Sequence, residues 1–121
     1  MKRFERANIM ILYDFEYERP SSLQEATALL SETGEGAKLL AGGTDLMPNM
    51  RVEVIPPSLL VSLSAIEAVA PEKSTDGSIK IDALIKLSDL VDDELIRREL
   101  PMLAEAAHTV AGNQVRVMGT L

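Results

Sequence analysis

The 121-residue chain has no cysteine, no tryptophan and a single histidine, His108, and its other aromatics are two tyrosines and two phenylalanines. Without a thiol, this stretch cannot form disulfides, thiolate nucleophiles, Cys-bound zinc or Cys-bound iron–sulfur clusters. One imidazole cannot build a histidine-rich metal site, so no metal is expected on the chain itself. Any redox chemistry has to be borrowed from an organic cofactor. Positive charge is short as well. Twelve Lys and Arg against 19 Asp and Glu leave a net charge of −7, which argues against a nucleic-acid partner or a polybasic membrane surface, because phosphate contacts need clustered cations. Long apolar runs are missing too. The longest uncharged stretch, Val54 to Ile66, holds Pro56, Pro57 and three serines and is no bilayer span. The basic start, Met1 to Arg6, is followed only by Ile9-Met10-Ile11-Leu12 before Asp14, shorter than a secretory apolar core of ~7–15 residues. A cytoplasmic protein without membrane insertion is expected. Met10 is an alternative start, which makes residues 1–9 an N-terminal extension.

What is present suits one modest core: 46% apolar and 26% charged residues, ordinary for a globular chain. Tyr13 to Tyr17 alternates aromatic and acidic residues, the period of a strand. Ser22-Leu23-Gln24-Glu25 is a capping box, with Leu23, Ala26 and Leu30 on the apolar face of the helix it opens and Gly34 and Gly36 at its end. Ala37 to Ala41 reads as a buried strand, Gly42-Gly43 breaks it, and Thr44 or Asp45 caps a short helix through about Arg51, with Pro48 in its first turn. Leu59 to Leu63 reads as a second buried strand. Val69 to Ala83 reads as a hairpin turning at Asp76-Gly77. Ser88 opens a helical segment, Glu94 to Leu100 forms another, and Pro101 starts a third, with Leu103, Ala106, Ala107 and Val110 as its stripe. The order is α+β, in two small subdomains: 10–65, carrying the Gly-Gly loop, and 66–121, the incomplete start of a second.

The chemically informative stretch is Lys38-Leu39-Leu40-Ala41-Gly42-Gly43-Thr44-Asp45-Leu46. Glycines let a backbone run close to a ligand, and free amides at a helix start hold phosphate oxygens. Two readings stand: a phosphate or pyrophosphate cradle, or a tight turn with no ligand. Neither a Rossmann fingerprint nor a Walker loop is present. His108 reads as a solvated surface residue, Asp92-Asp93-Glu94 as helix-start charge and Arg97-Arg98 as a solvated face. No nucleophile–base pair is suggested, so no catalytic residue is expected.

A wider pattern goes further. Phe15 to Pro20, Ser22 to Ala26, Leu29-Leu30, Ala37 to Leu46, Leu59 to Leu63, Ile79 to Leu90, Pro101 to Ala107, Val110-Ala111, Gln114 to Arg116 and Met118 to Leu121 occur in one order. Together they resemble the N-terminal part of the FAD-binding medium subunits of molybdenum hydroxylases, the family of xanthine dehydrogenase, carbon monoxide dehydrogenase and 4-hydroxybenzoyl-CoA reductase. Pro48-Asn49 leans toward the 4-hydroxybenzoyl-CoA reductase beta subunit, with the carbon monoxide dehydrogenase medium subunit as the other near branch. The resemblance implies a two-subdomain α+β FAD-binding module of the molybdopterin dehydrogenase type (PCMH-like), C-terminally truncated here. It implies FAD on Leu39, Leu40, Ala41, Gly42, Gly43, Thr44, Asp45 and Leu46, with Thr120 opening a second loop and Val110 near the flavin. Read from the residues alone, Val110 is a core position on a helix.

The implied function is an oxidoreductase subunit that passes electrons between iron–sulfur clusters and an external acceptor or donor through FAD. Its implied partners are a large subunit holding the molybdenum cofactor and a small iron–sulfur subunit. The 121 residues alone are expected to be inactive and to bind FAD poorly, since the family completes its second loop with Gly-Gly-Asn beyond position 121. The alternatives are a non-enzymatic nucleotide- or phosphate-binding module using Gly42-Gly43, and a structural remnant with an empty loop. Asp82 departs from a glycine common in the family, which questions close backbone packing there, and Val117 departs from an asparagine.

Overall fold

The computed structural model describes residues 14–52 and 57–121. The expected N-terminal extension, the start at Met10, the apolar run to Leu12, the Tyr13 end of the first strand and Pro56 lie outside the described residues. Three strands, β1 (Glu16–Glu18), β2 (Ala37–Leu40) and β3 (Leu59–Ser62), form a parallel sheet in the order β1-β3-β2. Parallel neighbours need crossovers: α1 (Leu23–Thr33) links β1 to β2, and α2 (Leu46–Arg51) lies between β2 and β3. The central strand β3 is buried at every position, which is why it reads as an unbroken apolar run. Leu59 and Val61 pack with Ala26, Ala37, Leu29 and Leu30 under α1, and Leu60 and Ser62 face the opposite side by the two-residue alternation. β2 is not the buried strand expected from its composition. It is a sheet edge with Leu39 45% exposed, because apolar content does not reveal how many neighbours a strand has.

Ser22 caps α1, its side chain accepting from the Glu25 amide at 3.2 Å. The return arm of the box lands one residue earlier than expected: the Glu25 carboxylate accepts from the Ser21 amide and hydroxyl at 2.7 and 2.9 Å, which holds its pKa below the usual carboxylate value. Leu23 is exposed rather than part of the buried face.

The second half holds the antiparallel hairpin β4 (Glu72–Lys73) and β5 (Ile79–Lys80), then α3 (Leu87–Asp92), α4 (Glu94–Glu99), α5 (Pro101–Thr109) and α6 (Asn113–Arg116). Gly77 sits in the hairpin turn at φ +87°, a left-handed conformation that suits glycine. Asp93 caps α4 by accepting from the Ile96 amide at 2.9 Å, the helix-start role read for the acidic run. Ile85, Leu90, Ile96, Ala104 and Ala107 form a second cluster, against which Ile79, Ile81 and Leu103 pack. The stripe of α5 therefore runs through Leu103, Ala104 and Ala107. Ala106 and Val110 are exposed, so Val110 is no core residue.

Asp82 supplies what a glycine there could not. Its carboxylate accepts from the Leu84 amide at 2.8 Å and the Val69 amide at 3.0 Å, tying the entry and exit of the hairpin segment together. Those two amides, Leu84 first, hold its pKa below the ordinary 3.8. A carboxyl depressed in the folded state stabilises fully above its unfolded value and loses that contribution as pH falls through the folded one. Asp82→Ala should therefore cost about 1 kcal/mol at neutral pH, the net worth of such hydrogen bonds, and less at an acid pH below the ordinary 3.8. Thermal melts of both proteins at the two pH values check this, and a gap that persists undiminished in acid would contradict it.

Candidate functional site

Leu40 ends β2 and Leu46 begins α2, so Gly42-Gly43 lie in the strand-to-helix turn that the sequence predicts. Gly43 takes φ +74°. A Cβ there would also stand 3.1 Å from Leu40 Cδ1 and 3.2 Å from Met47 Cγ. Asp45 occupies the N-cap position of α2, but its side chain makes no cap. Its Oδ1 accepts instead from the Asn49 side-chain amide at 3.1 Å. Among the described residues, the amides of Gly42, Gly43, Thr44 and Asp45 enter no backbone hydrogen bond. With α2 only six residues long, these bare amides, rather than a long helix dipole, are the donors an anion would find.

Gly42 is glycine for a different reason. A Cβ on it would collide with Met118 O and stand 2.9 Å from Gly119 Cα, so the first loop packs backbone to backbone against the segment before Thr120. Thr44 approaches the same place: its Oγ1 lies 3.3 Å from where a Gly119 side chain would begin. The far side of that segment is held by α3. Lys86 and Thr120 form an antiparallel bridge, the Leu87 amide donates to Gly119 O at 2.9 Å, and the Leu121 amide donates to Ile85 O at 3.1 Å.

These elements line an open cavity of about 340 Å³ whose wall includes Ala41, Leu63, Ser64, Leu84, Lys86 and Thr120, within the usual range of roughly 300–1,000 Å³ for small-molecule sites. The Leu63 amide donates to Leu40 O at 2.9 Å, so Ala41 and Leu63 follow the carboxyl ends of neighbouring parallel strands, the edge where ligands of open parallel sheets gather. Ser64 is tied down by Arg19, whose Nε donates to Ser64 Oγ at 2.9 Å.

Of the residues singled out in the sequence, Ala41 and Thr120 meet on the cavity wall, and Gly42 and Thr44 meet the 118–119 backbone beside it. Leu39 is exposed on the sheet edge, while Leu40 and Leu46 are half-buried at the ends of their elements. Val110 is not on the wall. It follows α5 as its C-cap, and its carbonyl and that of Ala111 accept from the Arg116 guanidinium at 3.0 and 2.9 Å. Ala111 is held there at φ +43°. Sequence reasoning missed Leu63, Ser64, Leu84 and Lys86, none of which carries a local motif. Among the described residues no three acidic, His or Cys side chains gather as a metal site, and no helix is long and apolar enough to cross a membrane.

The family profile described as "FAD binding domain in molybdopterin dehydrogenase" matches residues 13–121. The carbon monoxide dehydrogenase medium chain of Hydrogenophaga pseudoflava is 38% identical over 112 residues, covering 93% of this chain and 39% of that protein. The 6-hydroxypseudooxynicotine dehydrogenase complex subunit alpha of Paenarthrobacter nicotinovorans is 36% identical over 107 residues, covering 88% and 36%. Among solved structures, a cyanide-inactivated Cu,Mo-CO dehydrogenase superposes with a TM-score of 0.87 at 34% identity, over 92% of this chain and 39% of that one. Quinoline 2-oxidoreductase from Pseudomonas putida 86 gives 0.83 at 29% identity, over 91% and 38%. The chain thus spans less than two-fifths of the length of these relatives. On the profile match and the identities together, it belongs to the family of FAD-binding domains of molybdopterin dehydrogenases.

Proposed function

We propose that this chain holds FAD in the cytoplasmic flavin subunit of a molybdenum-containing oxidoreductase, and that electrons pass through that flavin between iron–sulfur clusters and an external acceptor or donor. The observation that carries the reading is that two glycine-bearing segments pack on each other and each gives a residue, Ala41 and Thr120, to one cavity wall, while among the described residues the Gly42 to Asp45 amides enter no backbone hydrogen bond. A pyrophosphate needs hydrogen-bond donors and close backbone approach, and this turn offers both. Gly43 sets the left-handed turn, Gly42 keeps the two segments in contact, and Thr120 is presented by its bridge to Lys86. The flavin, when bound, supplies the exchange of one or two electrons, while the protein supplies binding, orientation and electrostatics. Leu39 and Val110 would serve as outlying contacts. The two apolar clusters, one on each side of residues 64–68, support a division into subdomains 10–65 and 66–121.

These 121 residues hold no cysteine for an iron–sulfur cluster, and the relatives named as medium chains support a small iron–sulfur subunit and a large subunit with the molybdenum cofactor as partners. Purification of the complete protein with its neighbours should yield a yellow complex, the flavin being the chromophore. Calorimetric titration with FAD is the test. A complete protein that neither copurifies with nor takes up flavin would overturn the reading.

A further inference from the structure

We propose that Lys86 recognises the anionic diphosphate of the ligand in this cavity, setting the positive charge that neither glycine segment contains while it clamps the second segment against the first loop. The ligand's identity rests on the flavin reading above; the role of Lys86 rests on its place in the fold. Lys86 lines the cavity together with Ala41 and Thr120. Its Nζ donates to Met118 O at 3.1 Å, across 32 residues, and that same oxygen is the atom against which Gly42 packs. The ammonium, the Met118 carbonyl and the Gly42 backbone therefore follow one another from the cavity wall into the first loop.

The base of the side chain is fixed. Lys86 bridges Thr120, the Leu87 amide holds Gly119 O, and Leu90, fully buried one turn on, anchors the helix. An ammonium has three N–H donors, and one is used on Met118 O, so two remain. Among the described residues Lys86 enters no ion pair. Asp89 is the other charged residue on the cavity wall itself, Asp45 is the charge in the first loop, and the Arg19 guanidinium stands behind the wall, held on Ser64. On the wall itself a diphosphate meets one ammonium, Lys86, and one carboxylate, Asp89. A compact ammonium with free donors answers that charge without fixing a bidentate geometry.

The test measures FAD and ADP affinity for the complete protein carrying this chain, as wild type, Lys86→Met and Lys86→Arg, from about 20 to 500 mM salt, since screening separates charge from packing. Lys86→Met should weaken both ligands by about 10- to 100-fold at low salt, the range of a lost charge-assisted hydrogen bond. The gap should narrow as salt rises, and Lys86→Arg should restore most of the affinity. A loss in Lys86→Met that stays equal at every salt concentration would reduce Lys86 to a structural clamp and overturn the proposal. So would unchanged affinity. If Lys86→Met does not fold, Lys86→Gln and the salt slope of the wild type take its place, and a flat wild-type slope counts against the proposal. ADP binding that depends on Lys86, without any binding of FAD, would refute the flavin reading and leave the Lys86 assignment standing. Wild type that binds neither overturns both.

Discussion

Gly42→Val should strip the complete protein of flavin, whereas Gly34→Ala should leave its flavin content unchanged. The atoms facing Gly42 are backbone: Met118 O in direct contact, with Met118 C and Gly119 Cα each 2.9 Å from an added Cβ. No rotamer change relieves such a clash, so the first loop and the 118–120 segment must move apart. A displacement of about 1 Å in a positioning element costs on the order of 100-fold in function, and the overpacking itself adds about 1–3 kcal/mol of destabilisation. Gly34 is the control. It takes φ +68° but has open space around it, so a methyl there brings only backbone strain, on the order of 1–3 kcal/mol, remote from the cavity. Gly43→Val should fall between the two, since its neighbours are side-chain atoms, Leu40 Cδ1 and Met47 Cγ, rather than backbone, and the φ of +74° adds to the penalty. The ratio of flavin to protein absorbance, read beside a thermal melt, separates lost binding from lost folding. Full flavin occupancy in Gly42→Val would show that the contact between the segments is dispensable.

The largest loss of stability should come from Leu90→Ala, at about 2–5 kcal/mol. Leu90 is fully buried, and its cluster joins it to two more large aliphatics, Ile85 and Ile96, whereas the group under α1 has Leu59 and Val61 with two alanines. A loss of that size is a large share of the roughly 5–15 kcal/mol that holds a domain together. It also reaches the cavity, because α3 begins at the residues that hold Gly119 and Thr120. The urea midpoint should drop and flavin affinity should fall with it. A shift worth under about 1 kcal/mol would mean that the site can collapse around the missing methyls, contrary to its close packing.

The sequence by itself determined the features whose cause is local. Ser22 and Glu25, three residues apart, start α1; Asp76-Gly77 turns the hairpin; Pro101 opens α5; and Gly42-Gly43 separate a strand from a helix. Each is a matter of dihedral preference or a hydrogen bond within a few residues, and such terms are nearly the same in any fold. The ordered blocks from Phe15 to Leu121 also carried the family resemblance, which the profile match over residues 13–121 bears out.

What only the tertiary structure decided depends on neighbours distant in the chain. Period-2 and period-3.6 patterns assign faces but not partners, so β2 read as buried although the order β1-β3-β2 makes it an edge. The stripe of α5 slid by one position for the same reason: Ala104 and Ala107 are covered because α3 and α4 lie over them, while Ala106 and Val110, equally apolar, face water. At the site, the glycine at 42 was legible and its reason was not. The carbonyl it packs against belongs to Met118, and the lysine that holds that carbonyl lies on a third element. A one-dimensional pattern fixes the conformation of a loop. Which backbone comes to rest against it is set by the packing of helices around two apolar clusters, a sum over the whole chain that no local segment contains.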